Sequence, residues 1–283
     1  MILKEGLKCI YRYNYEDYKE EEFILPSSLE EIQSYAFGAC KKLKKIEIPE
    51  NVRKIGEGAF QIDESLKEVI FKTNSCTISA SAFSGCESLE KINLPDNLYK
   101  ISTCLFDGCK SLKEIILPSK LSDINGSAFA YSGLKKISIP SSITRIGNSA
   151  FSDCIFLKEV YFEDTKNVID INKYIFDNCQ NLEKIKFSGE VVELNKTCFR
   201  NCHSLKIIVL PLVQQKLDIN LFENNPEIYM YQETYDNNKE FAKKYNVHII
   251  DPSIDELLEG SKSFKELNEI YKNSINKNEI NEL

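Results

Sequence analysis

Ten cysteines in 283 residues are the first chemistry this sequence offers. Six of them, Cys40, Cys86, Cys109, Cys154, Cys179 and Cys202, each stand three residues after a phenylalanine. Thiolates can act as nucleophiles, metal ligands or halves of disulfides. Cys40 is followed by Lys41, Lys42, Lys44 and Lys45, and a positive field lowers a thiol pKa. Such a lysine run could also hold an anion or a nucleic-acid backbone. The regular placement favours packing instead. Free cysteine is a small residue that is often buried. Side chains at one register of stacked coils point the same way, which does not suit the geometry of a bridge. Asp63 fills the slot in the second repeat, and the fifth shortens there to "FAYSGL". A continuous chain of disulfides or metal ligands would be broken at both places. The six are expected to be buried thiols. Cys198 takes a slot otherwise filled by alanine and is assigned to the core. Cys9, Cys76 and Cys104 fall off the pattern.

Other constellations are sparse. The two histidines, His203 and His248, have no zinc-ligand spacing around them. There is no G-x-G-x-x-G, no phosphate-binding loop and no G-x-S-x-G. Cys202 and His203 are adjacent in sequence, which does not imply nucleophile–base geometry. No catalytic, metal or cofactor site is expected, and no small-molecule substrate. Two glycosylation sequons, Asn125-Gly-Ser127 and Asn195-Lys-Thr197, would matter only after export.

The formal net charge is −7, which argues against nucleic acid as a partner. No stretch approaches the ~20 apolar residues of a membrane span, so no membrane insertion is expected. The N-terminal "MILKEGLKCIYRYNYEDYKEEEF" has no long apolar run and no small-residue cleavage site. A cytoplasmic, reducing location is expected. A signal removed from the chain would instead imply the cell surface.

The elements that position these residues follow from an internal repeat. Phe37, Phe60, Phe83, Phe106, Phe129, Phe151, Phe176, Phe199 and Phe222 are spaced by 23, 23, 23, 23, 22, 25, 23 and 23. Alanine precedes most of the early ones, and leucine follows near the sixth position, from Leu43 to Leu205. Two alternate apolar residues come next, as in Ile46/Ile48, Val69/Phe71, Ile92/Leu94 and Ile115/Leu117. Alternation with period 2 predicts a short strand with one buried face. Proline, as at Pro49, Pro95, Pro118 and Pro140, ends it. Four residues before each phenylalanine is a small or turn-forming residue, among them Gly56, Ser102, Asn125, Gly147 and Asn172. A left-handed corner is expected there. One unit cannot bury its own apolar face, whereas stacked units share a core.

The pattern L-x-x-I-x-I-P-x-x-L-x-x-I-G-x-x-A-F-x-x-C-x-x-L resembles the BspA-like leucine-rich repeat family. Leu43, Ile46, Ile48, Pro49, Val52, Ile55, Gly56, Ala59, Phe60 and Leu66 carry it. The resemblance implies a leucine-rich repeat solenoid with a parallel sheet on its concave side, short non-helical or 3-10 convex segments, and use as a binding surface. Some members of the family are cell-surface adhesins.

Four regions are expected: an N-terminal capping hairpin at 1–22, a solenoid of about nine coils at 23–228, a C-terminal cap at 229–251, and an amphipathic helical tail at 252–283. In the cap, a helix is expected near Asn238–Tyr245 and a strand at Val247–Ile250. The tail shows capping-box spacings at Ser253/Glu256 and Ser263/Glu266, and an apolar stripe at Phe264, Leu267, Ile270 and Tyr271.

Two rows should project from the sheet. One alternates in charge: Glu22, Lys45, Glu68, Lys91, Glu114, Lys136, Glu159, Lys184, then Ile207. It is expected to be a solvated structural ladder, with Lys41, Lys42 and Lys44 solvated on the outer corner. The other runs Ile24, Glu47, Ile70, Asn93, Ile116, Ser138, Tyr161, Lys186 and Val209. Exposed apolar residues there would mark a partner site. The expected site for a protein partner is Ile70, Asn93, Ile116, Ser138, Tyr161, Lys186, Ile207 and Val209. The expected function is a non-catalytic interaction scaffold; the alternative is an exported adhesin-like protein.

Overall fold

The fold is described by a computed structural model over residues 1–16 and 18–249. The expected helical tail lies outside the described residues. The unit Met1–His248 is a parallel β-solenoid of about ten turns.

Each coil adds one strand to a long-strand face. Strands Glu22–Phe23, Lys45–Ile48, Glu68–Phe71 and Lys91–Asn93 form one sheet. Lys136–Ile139, Glu159–Phe162, Lys184–Lys186, Ile207–Val209, Glu227–Met230 and Val247–Ile249 form another. A second, short-strand face was not foreseen. Its strands are mostly two residues long, such as Glu31–Ile32, Lys54–Ile55, Asp123–Ile124 and Arg145–Ile146. The isoleucine of each points inward and is fully buried.

Between the faces runs a column of rings. From Phe37 to Phe199, successive phenylalanines stack with centroids 5.2–6.1 Å apart and planes within 19° of parallel. All are at most 1% exposed. Each contributes about 1.5–3 kcal/mol through burial, with a smaller addition from offset stacking.

The column begins one coil earlier than the phenylalanine spacing suggests. Tyr15 stacks on Phe37 at 5.3 Å, and Cys9–Ile10 pairs in parallel with Glu31–Ile32. Ile2 bridges Ile24, also in parallel. Residues 1–22 are therefore a further coil in register, not the expected hairpin. At the other end, the helix Lys239–Lys244 and the strand Val247–Ile249 lie where a helix and a strand were expected, and an unexpected helix, Gln232–Asn237, precedes them.

The left-handed corners also differ from expectation. From Phe37 to Phe176 they fall two residues before and two residues after the ring, as at Tyr35 and Ala39, Gly58 and Ile62, Ser81 and Gly85, Ser149 and Asp153, Tyr174 and Asn178. The position four before the ring needs small or polar residues for another reason, the close approach of neighbouring coils. A Cβ on Gly56 would sit 2.4 Å from the Ser34 nitrogen, and one on Gly147 2.6 Å from the Gly126 nitrogen. The Ser102 hydroxyl and the Asn172 side-chain amide donate instead to the backbones of Ile78 and Ile146 in preceding coils.

Candidate functional site

The alternating row stands in register as Glu22, Lys45, Glu68 and Lys91, and again as Lys136, Glu159 and Lys184. Lys45 meets Glu68 at 3.4 Å and Lys136 meets Glu159 at 3.4 Å. Exposed pairs of this kind contribute at most about 1 kcal/mol each. The ladder is not continuous over eight strands, because residues 112–118 carry no strand assignment. Their neighbouring coil has the short corner, where the Gly133 α-carbon is pressed so close that a Cβ would lie 1.9 Å from the Lys110 carbonyl oxygen. Glu114 thus has no paired strand on either side of it. Lys44 is not simply solvated either: its ammonium meets Glu21 at 2.8 Å.

Of the expected partner-binding row, Ile70, Asn93, Ile116, Ser138, Tyr161, Lys186 and Ile207 are half-buried on this face. Ser138, Tyr161 and Lys186 are brought together as register neighbours. The Lys186 ammonium lies 5.2 Å from the Tyr161 ring centroid and 3.8 Å from Asp164. Ile70 stands between Glu47 and Asn93. Asn93 has a structural task as well: its amide accepts from the Phe71 nitrogen at 2.8 Å and donates to the Phe71 oxygen at 2.9 Å. Ile116 lies in the unpaired segment. Val209 corrects the expectation of exposure. It is only 2% exposed, with Lys186 and Tyr229 beside it in register.

The row extends beyond Val209 to Tyr229, which stacks on His248 at 4.9 Å. Tyr229 was missed because it follows Val209 at a spacing of 20, off the 23-residue period; the alternation in "EIYM" is the signal that could have found it. At the other end, a recess of about 350 Å³ is lined by residues including Glu22, Ile24, Lys45, Glu47 and Lys72.

The six repeat cysteines are at most 3% exposed. Burial pushes the Cys154 and Cys202 thiols up to about 12 and raises Cys86 and Cys179 as well. Cys76 and Cys198 are also buried, whereas Cys9 and Cys104 are half-buried. No three His, Cys, Asp or Glu side chains among the described residues converge as a metal site. No helix among them is long and apolar enough to cross a membrane.

The repeat that builds this face matches a known family model, the BspA type leucine rich repeat region, with six copies over residues 8–134, 76–206 and 123–247. The chain belongs to the BspA-type leucine-rich repeat family. Two solved structures share the leucine-rich repeat fold. A leucine-rich repeat protein from Bacteroides ovatus is 24% identical, with 88% of this chain and 77% of that one covered and a TM-score of 0.63. A leucine rich cell surface protein from Faecalibacterium prausnitzii is 22% identical, with 87% and 83% covered and a TM-score of 0.50. No curated protein matches the chain.

Proposed function

We propose that this BspA-type repeat protein is a non-catalytic scaffold that binds a protein partner on its long-strand face. The observation that carries this reading is the set of half-buried residues on the long strands, Tyr161 flanked in register by Ser138 and Lys186, with Ile70 and Ile207 on paired strands and Ile116 in the unpaired segment between them. Aromatic and aliphatic side chains held on a rigid sheet lose little conformational freedom on binding, which favours them as anchors. Val209, being buried, drops out of the contact set, and Tyr229 enters it. The experiment is capture of partners from a native extract by wild type, Tyr161→Asp and Ile116→Asp. Both variants are expected to lose capture while keeping wild-type circular dichroism. Unchanged capture by both would move the site off this face. Ten cysteines with no disulfide among the described residues favour action in a reducing compartment. Protease shaving of intact source cells tests the alternative, an adhesin-like surface role: release of this chain would establish it.

A further inference from the structure

The corner position just ahead of each long strand carries charges that are paired from coil to coil. Lys44 meets Glu21 at 2.8 Å, Lys67 meets Glu90 at 3.7 Å, and Lys206 meets Glu183 at 2.8 Å. Between Glu90 and Glu183 the same position holds Lys113, Lys135 and Lys158 on three consecutive coils. Their register is fixed by backbone hydrogen bonds, Lys135 nitrogen to Lys113 oxygen at 2.9 Å and Lys158 nitrogen to Lys135 oxygen at 2.8 Å. These bonds set the three lysines at equivalent corner positions, so three like charges follow one another from coil to coil. Both flanking glutamates make their close contacts outside the row, Glu90 with Lys67 and Glu183 with Lys206. All three lysines are exposed; among the described residues none makes a close ion pair, and the Glu183 carboxylate acts on Lys158 only as a neighbouring charge.

Like charges directly opposite one another destabilise a sheet, and elsewhere on this corner the lysines meet glutamates. An arrangement that opposes folding and is compensated only at its Lys158 end fits a contact with something outside the chain. Apolar surface adjoins it: Phe156, two residues before Lys158, is 52% exposed and Ile155 is 40% exposed. The same corner position one coil earlier is Gly133, which has no side chain to cover that flank of the ring.

We infer that Lys113, Lys135, Lys158 and Phe156 form a docking rim for an acidic segment of a protein partner. Its carboxylates would bridge the three ammonium groups, and an apolar side chain would pack on Phe156. The exposed Phe156 ring with Ile155 beside it offers an apolar contact that a peptide side chain can fill, which favours an acidic peptide over nucleic acid, whose binding rests on phosphate neutralisation. The rim lies beside the sheet face proposed above and is probed by different variants, so either reading can fail alone.

The test is fluorescence anisotropy of the full chain with a labelled hexaglutamate peptide bearing one phenylalanine, at low ionic strength. Replacing all three lysines, Lys113→Gln, Lys135→Gln and Lys158→Gln, should weaken binding by about tenfold or more. Replacing three lysines paired far from the rim, Lys8→Gln, Lys44→Gln and Lys54→Gln, whose partners are Glu30, Glu21 and Glu31, removes the same charge and should change it little. Lys135→Glu should lose binding while the melting temperature holds or rises, because it relieves the repulsion. Equal losses in the two triple variants, or no binding by wild type, would overturn the inference. Tighter capture of a twelve-base oligothymidylate or of phosphatidylserine vesicles would overturn the protein partner.

Discussion

The Cys86 thiol donates to the carbonyl oxygen of Phe60 in the preceding coil, with Sγ and O 3.1 Å apart. The same bond recurs from Cys109 to Phe83, Cys154 to Phe129, Cys179 to Phe151 and Cys202 to Phe176 at 3.0–3.3 Å. Cys40 makes it to Tyr15 at 2.9 Å, so the N-terminal coil joins the series. A buried carbonyl requires a partner. Cysteine supplies one while still behaving as a small apolar side chain. Burial and donation together explain the column without metal or redox chemistry.

Thiol labelling checks this arrangement. With Ellman's reagent near neutral pH, Cys9 and Cys104 should react first in the native protein, since both are half-buried. The six repeat cysteines should react only after unfolding in urea, when all ten become available. Rapid native labelling of the repeat cysteines would contradict their burial.

Asp63 occupies the cysteine slot of its coil and is fully buried. Its Oδ1 accepts from the Cys40 nitrogen at 2.6 Å, while Oδ2 has no partner. Burial pushes its carboxyl well above the usual range, only partly offset by the Cys40 N–H. The folded chain therefore holds this proton at pH values where the unfolded chain has lost it. Stability from this group is complete in acid below the unfolded value of 3.8 and declines as pH rises above it. Asp63→Cys should raise stability by about 1–3 kcal/mol at about pH 8, with the gain shrinking toward pH 4. Urea unfolding at several pH values measures it, and a gain that does not change with pH would refute the account.

The repeat was legible because it is built from burial. Phe37 through Phe199, Leu43 and its equivalents and the alternating Ile46/Ile48 pairs announce themselves by type and spacing, and all are core. The first coil was hidden because Tyr15 stands where later coils have phenylalanine, 22 residues before Phe37. The left-handed corners were hidden because their side chains share no type: Tyr35, Ala39, Ile62, Ser81 and Asp153 have only backbone conformation in common. On the long-strand face, alternation gave the direction of each side chain. It could not give the burial of Val209, which depends on the irregular coil beyond it, or the hydrogen bonds of Asn93 to its neighbour's backbone.

Close approach of coils makes a second comparison. Gly56→Ala and Gly147→Ala would each force backbone atoms apart and should cost about 1–3 kcal/mol or more. The nearest atom to a Cβ on Gly38 is 3.6 Å away, so Gly38→Ala should be nearly neutral by thermal melting. Similar losses at all three positions would mean that glycine is required there for some reason other than space.

Ile62 offers the opposite sign. It is a β-branched residue in the left-handed region, at φ 61°, and is 48% exposed. That conformation is costly for a branched side chain and far easier for asparagine or glycine. Little burial is lost on replacement, and the Ile62 nitrogen bonds to the Ser84 oxygen through the backbone, which a substitution keeps. Ile62→Asn should therefore stabilise the fold by about 1 kcal/mol, read as a higher urea midpoint with an unchanged slope. A lower midpoint would show that the half-exposed side chain contributes more by packing than its backbone conformation costs.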